Sequence, residues 1–424
     1  MFGRAVVAAF ASLSLIGCGG EVFSGGTDAS EPGPNHDAGT SQPEADAGTP
    51  PEVEPDAGST DPSDKPITHF DVIIGTGSGQ IHLPSGISGV NCGDVVGIRA
   101  GTYYGIGIVG VNGCAGNPIT IANHGGQVKV VGTQQGNWGI SFENSSHVVF
   151  RSAVPGEYGF YVRNSVGRGG FEVSGTSHDM EISGVHVAEA AHGIMIKEDP
   201  RCSRPKAWHP FVMRNFVVKN NRFENTLWEG TYFGFHNAES MTMSCNGSDV
   251  QVKAARLANV KTLNNIFRNN GNNAIKVRLC LEGCETAYND VYGYALNKDT
   301  GWDSGITYGY ETYGSIHHNR VERGYGNAIE IIGRVQSTIK IHDNTIVSPG
   351  TMPDGSKGQT WARGIAADFR STGMRVEIFD NSISNPIAGD VSLTNYENLS
   401  GVTGKVCNSG SRIENVNVQL DACP

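Results

Sequence analysis

Asn319-Arg-Val-Glu-Arg-Gly-Tyr-Gly-Asn-Ala328-Ile-Glu-Ile331 holds two short β-forming runs, the second opening nine residues after the asparagine that opens the first. The same unit recurs outward from it. Asn221-Arg-Phe, Asn265-Ile-Phe, Asn289-Asp-Val, Asn344-Thr-Ile and Asn381-Ser-Ile repeat the first run. Gly193-Ile-Met-Ile, Gly230-Thr-Tyr-Phe, Ala274-Ile-Lys-Val, Gly305-Ile-Thr-Tyr and Gly364-Ile-Ala-Ala repeat the second. Successive asparagines from 221 to 381 lie 44, 24, 30, 25 and 37 residues apart. A period near 24 with variable insertions is the signature of stacked β coils. One coil has no buried face. Stacking sets Ile on Ile and Asn on Asn, giving an apolar column and an amide ladder. A β-sandwich supplies no reason for one residue type to recur before each strand.

The expected fold class is therefore all-β, a single-stranded parallel β-helix over 68–424. No linker divides these 357 residues, so they read as one elongated domain. The opening, Cys92-Gly-Asp-Val-Val-Gly-Ile-Arg-Ala-Gly-Thr-Tyr103 and Asn112-Gly-Cys-Ala-Gly-Asn-Pro-Ile-Thr-Ile121, resembles the first coils of bacterial β-helix proteins. Trp228-Glu-Gly-Thr-Tyr-Phe-Gly234 and Gly301-Trp-Asp-Ser-Gly-Ile306 resemble recurring coil segments of the same group. The group is the right-handed parallel β-helix, or pectate-lyase-like, superfamily. It implies a right-handed solenoid and action on, or binding to, carbohydrate. It does not imply one activity, because this architecture hosts lyases, hydrolases, epimerases and binders.

Strand alternation then assigns faces. Ile194, Thr231, Ile275, Ile306, Ile329 and Ile365 point inward. Met195, Tyr232, Lys276, Thr307, Glu330 and Ala366 point outward, followed two residues on by Lys197, Gly234, Arg278, Gly309, Ile332 and Asp368. This predicts one exposed strip of charge suited to a polyanionic sugar. β-Elimination of a uronate needs a cation on the carboxylate, a base for the C5 proton and an acid for the leaving oxygen. Lys276 is the candidate base, its ammonium destabilised by neighbouring cations. Arg278 is the candidate carboxylate clamp, and Tyr232 the proton donor or stacking platform. Lys197, Glu330, Asp368 and His236 are candidate substrate contacts. Asp199, Glu229 and Asp303 are candidate ligands for calcium, the one cofactor considered. The acidic calcium cluster of the best-known pectate lyases is missing. So is the Asn-Thr-Asp, Gly-His-Gly and Arg-Ile-Lys pattern of polygalacturonases, although Ile275-Lys-Val-Arg278 comes near its last part. The alternatives are a non-catalytic glycan-binding or envelope-structural β-helix, a glycoside hydrolase using Glu330 and Asp368, and an epimerase.

Residues 1–18 read as an export signal: Arg4, an apolar run from Ala5 to Ile16, then Gly17-Cys18. Leu15-Ile16-Gly17-Cys18 resembles the bacterial lipoprotein box, which implies a diacylglycerol on Cys18 and a stable membrane anchor. Gly19 favours the outer membrane, so the expected place is the cell envelope. Residues 19–67 form an acidic, Pro- and Gly-rich disordered tether. It carries eleven acids against Lys65, and Arg4 is the only charge before it, so just −2 of the chain's −11 belongs to the body. Nothing here is basic enough for nucleic acid. The expected partners are an acidic polysaccharide and the membrane, with the body a monomer.

Nine cysteines less Cys18 leave eight, an even set for an oxidising compartment. Pairing in chain order would join Cys92–Cys114, Cys202–Cys245, Cys280–Cys284 and Cys407–Cys423, among about 105 possible connectivities. The thirteen histidines show no metal-ligand spacing along the chain.

Overall fold

Coil after coil, the chain turns one corner on a left-handed residue followed by a buried asparagine. Asn220, Asn264, Tyr288, His318, Asp343 and Asp380 take φ between 54° and 58°. The asparagines after them, 221, 265, 289, 319, 344 and 381, are at most 3% exposed. Each is bonded to the next. Asn289 Oδ1 accepts from the Asn265 backbone N–H at 3.0 Å and from Asn265 Nδ2 at 3.1 Å. Asn289 Nδ2 donates to Asn319 Oδ1 at 2.9 Å and to the Thr262 carbonyl, one coil back, at 2.8 Å. The ladder starts where the Val185 N–H donates to Asn221 Oδ1 and ends where Asn381 Nδ2 donates to Ser409 Oγ. Burial without these partners would strand several polar groups per coil.

The computed structural model describes residues 65–423 apart from 133–137, 168, 205–210, 237–239, 302 and 334–337. Among them there is no helix. Three parallel ladders run the length of the solenoid. Sheet 1 stacks, among others, His192–Ile196, Thr231–Phe233, Ile275–Val277, Ile306–Tyr308, Ile329–Gly333 and Arg363–Phe369. Sheet 2 includes Ser146–Arg151, His178–Ser183, Val212–Lys219, Arg256–Leu263 and Cys284–Ala287. Sheet 3 includes Val185–Ala188, Arg222–Glu224, Ile266–Arg268, Asp290–Tyr294 and Arg320–Gly324. The asparagine corner joins sheet 2 to sheet 3.

The expected register holds. Ile194, Thr231, Ile275, Ile306, Ile329 and Ile365 are consecutive partners in sheet 1, and all six are fully buried. They face Phe223, Phe267, Val291 and Val321 of sheet 3 within one continuous core. Each such aliphatic side chain contributes roughly 1.5–3 kcal/mol by leaving water. The small residue before each inward position has a steric cause. A Cβ at Gly230 would lie 2.6 Å from the Ala274 carbonyl oxygen and 2.6 Å from the Phe267 ring.

The four disulfides pair in chain order, with Cα–Cα separations from 5.3 to 6.3 Å. Cys18, the rest of the signal and nearly all of the tether, through residue 64, lie outside the described residues, as does Trp302.

The ladder predicts a position-dependent penalty. Asn289→Ala strands at least three buried partners, at about 1–3 kcal/mol each, so a loss of about 3 kcal/mol or more is expected. Asn381→Ser, next to the serine that already ends the ladder, loses less. Guanidinium midpoints with unchanged circular dichroism measure both. A loss below about 1 kcal/mol for Asn289→Ala would mean that the backbone alone holds the corner.

Candidate functional site

The turn from sheet 1 to sheet 2 differs sharply between coils. It is 3 residues long after Gly169–Ser174, 15 after His192–Ile196, 22 after Thr231–Phe233 and 6 after Ile275–Val277. Described residues of both long turns meet the outer face of sheet 1: Lys197 Nζ lies over the Tyr232 ring, and the His236 backbone hydrogen-bonds to Tyr232. The longer one contains an antiparallel hairpin, Met241–Cys245 with Ser248–Val252. Cys202–Cys245 staples it to the other long turn. Phe235, Met241, Ala254, Leu279 and Tyr310 form a small apolar cluster there.

This cover corrects one expectation. The outward strip is in register as read, with Met195, Tyr232, Lys276, Thr307, Glu330 and Ala366 consecutive partners. It is not an exposed strip. Tyr232 is 7% exposed, Lys276 1% and Arg278 7%. Buried charges need partners, and they have them. Lys276 Nζ donates to Glu229 Oε1 at 3.0 Å. His192 Nδ1 lies 3.0 Å from the other Glu229 oxygen. The Tyr232 ring is held between two ammonium groups, Lys276 Nζ at 3.9 Å and Lys197 Nζ at 4.8 Å from its centroid. Lys197 pairs with Asp199 at 2.8 Å. Arg278 Nη1 donates to the His236 carbonyl at 2.9 Å, and its guanidinium lies 5.3 Å from the Tyr310 ring. Its stem runs over Gly309, where a Cβ would come within 2.7 Å of it.

Two residues of this group open to solvent. His236 is exposed, its ring 4.1 Å from that of Phe235. Trp228 is 44% exposed and lies 5.0 Å from the His192 ring. Partial burial and the push of Lys276, Arg278 and Lys197 hold the His236 imidazole down at about 4. Burial pushes the Lys276 ammonium well below the ordinary lysine range; Glu229 opposes this, and Arg278 and Lys197 reinforce it. Burial would raise Glu229, but Lys276 and His192 outweigh it and hold the carboxylate ionised. Burial, then Glu229, raises the Tyr232 phenol, which stays protonated beside the His236 backbone.

The other expected residues have partners of their own. Glu330 accepts from Ser304 Oγ at 2.7 Å, and burial raises its pKa. Asp303 is raised by burial too. Asp368 pairs with Arg370 at 2.6 Å. Asp199, Glu229 and Asp303 are not among the groups of metal-ligating side chains that meet within 4.8 Å among the described residues. Glu229 is held by Lys276, and Asp199 by Lys197. Two sets with metal-ligating side chains do form, His147 with His178 and Asp179, and His318 with His342 and Asp343. Spacing along the chain hides them, because their members meet across coils. The recurring His-Asp pair at 178–179 and 342–343 was the available signal.

No family profile and no curated protein matches the chain. Solved structures do match. An alginate lyase from Paenibacillus sp. str. FPU-7 superposes with a TM-score of 0.53 and 12% identity, over 75% of this chain and 98% of its own. The chain has the right-handed parallel β-helix fold. Tailspike protein 2 of bacteriophage CAB120 of Escherichia coli O157:H7 matches this β-helix with a TM-score of 0.50 and 13% identity, over 77% of the chain and 42% of the tailspike. At such identities the likeness is one of fold.

The buried pair in this β-helix makes a stability prediction. Lys276→Met leaves the Glu229 carboxylate buried without its ammonium, an expected loss of about 3–5 kcal/mol. Adding Glu229→Gln recovers most of that loss. Denaturant midpoints of the two variants decide it, and equal midpoints would show that the pair is not coupled.

Proposed function

We propose that this β-helix binds a uronate-containing polysaccharide along the outer face of sheet 1 and cleaves it by β-elimination. One observation supports the reading: three cations, Lys197, Lys276 and Arg278, converge on one exposed, neutral imidazole, His236. The positive field receives the uronate carboxylate and makes the C5 proton acidic. Trp228 offers a sugar ring an open aromatic face. His236, rather than the buried Lys276, takes the C5 proton. The electron pair forms the C4–C5 double bond as the C4–O bond breaks. Tyr232 gives the leaving oxygen a proton and is restored by the one His236 gained. An alginate lyase among the fold neighbours agrees with this class of substrate.

The burial and pairing of Lys276 favour a second reading, in which the same face binds an acidic glycan without cutting it. One experiment separates the two. The full chain is incubated with pectins, alginates and glycosaminoglycans, with and without added calcium, and unsaturated ends are followed by ultraviolet absorbance. A rise with one polymer is expected, reduced about 10²–10⁴-fold by His236→Ala. Binding without any rise would establish the second reading instead.

The charge logic also sets a pH dependence. His236 is the active base when neutral, so kcat/KM is retained above pH about 4 and lost as pH falls through it. Bound carboxylate offsets the cations and raises the imidazole, so kcat falls off at a higher pH than kcat/KM. Coincident acidic limbs in the two profiles would exclude His236 as the base.

We further propose that lipid on Cys18 anchors the body to the outer membrane through the acidic tether. Cys18→Ser is then expected to abolish acyl labelling and release the protein from the membrane fraction. Retention of label would place the lipid elsewhere.

A further inference from the structure

We propose that His147, His178 and Asp179 form a site for a divalent first-row transition ion, such as Zn²⁺ or Co²⁺, on the outer face of sheet 2. This goes beyond the reading above and uses none of its residues. The strands Ser146–Arg151 and His178–Ser183 are adjacent, with Ser146 opposite His178. His147 and Asp179 both take left-handed backbone, φ 51° and 53°. Non-glycine residues hold this conformation only where the surroundings fix it. Here it accompanies the meeting of two imidazoles at one carboxylate. His178 Nδ1 lies 2.5 Å and His147 Nδ1 3.9 Å from the same oxygen, Asp179 Oδ2. All three ligand atoms lie within 4.8 Å of one another.

The carboxylate is oriented from behind. Asn215 Nδ2 donates to Asp179 Oδ1 at 2.6 Å, and Asn259 Nδ2 donates to Asn215 Oδ1 at 3.0 Å. One carboxylate oxygen is thereby occupied, and the other faces the imidazoles. Such outer hydrogen bonds are what metal-ligating carboxylates require. Two imidazole nitrogens with one carboxylate oxygen suit zinc, cobalt, nickel or iron rather than calcium or magnesium. A tetrahedral ion about 2.0 Å from each donor keeps the donors roughly 3.3 Å apart. The two imidazole nitrogens, at 3.9 and 2.5 Å from that oxygen, fall on either side of this spacing. An open depression of about 260 Å³, lined by His147, Asp179, Glu181 and Asn215 among others, adjoins the set. It leaves the remaining coordination positions to water or to an anionic or hydroxyl-bearing ligand. The His318, His342 and Asp343 set has two exposed members and, among the described residues, no side-chain amide behind its carboxylate. It is the weaker candidate.

Titration of the metal-free full chain with Co²⁺ tests the proposal, read by visible d–d absorption and by calorimetric stoichiometry. A His318→Ala/His342→Ala background removes the competing set. One equivalent is expected to bind there, with nitrogen-ligated bands. His147→Asn/His178→Asn abolishes it. Asp179→Asn, which tolerates the left-handed backbone, weakens it. Asn215→Gly, acting through Asp179, weakens it roughly 10- to 100-fold. Melting temperatures establish that each variant is folded. Unchanged bands and stoichiometry in folded His147→Asn/His178→Asn, or no binding in the background protein, overturns the assignment.

Discussion

A buried side-chain amide that accepts from one coil and donates to the next is the bond that phases this molecule. It gives partners to a backbone N–H and a backbone carbonyl at the corner between sheets 2 and 3. Its geometry repeats at six asparagines. Nine residues beyond three of those asparagines stands a small residue, Gly230, Ala274 or Ala328, just before the inward position of sheet 1. Loop length elsewhere is free to vary, because the corner restores the register each time. The columns of isoleucine inside and of polar residues outside are both consequences of that one restored phase.

The chemistry then depends on what covers the outer column. On its own, a β face carrying Tyr232, Lys276 and Arg278 would be hydrated, and its charges screened. In this structure all three side chains are buried instead. In the drier setting each charge acts on its neighbours more strongly. The same burial holds Lys276 against Glu229, keeps the Tyr232 phenol protonated and leaves His236 neutral at the surface. Cover and charge are thus one device. Without that burial, the cations would not bear on the imidazole with the same force.

What could be read from the chain alone follows the same division. The inward and outward assignment of Ile275 and Lys276 was legible, because alternation is local and the asparagine period sets its phase. The chain-order cysteine pairs were legible as the simplest of many pairings. The burial of Lys276 was not. It depends on contacts with residues far along the chain, such as Glu229, that alternation does not report. The pairing of Glu229 with Lys276 was not legible for a related reason: the partner is one coil away, 47 residues along the chain. His147 and His178 escaped notice because adjacency between coils depends on the length of the coil between them.

The unequal turns carry a wider implication. The strands of a coil stack only on those above and below, so residues can be added between sheets 1 and 2 without shifting the strand register. The 22-residue excursion after Thr231–Phe233 is such an addition, laid on an unchanged frame. A scaffold of this kind separates what must be kept from what can be exchanged. New specificities can therefore arise by swapping one excursion for another, while the stack beneath keeps its shape.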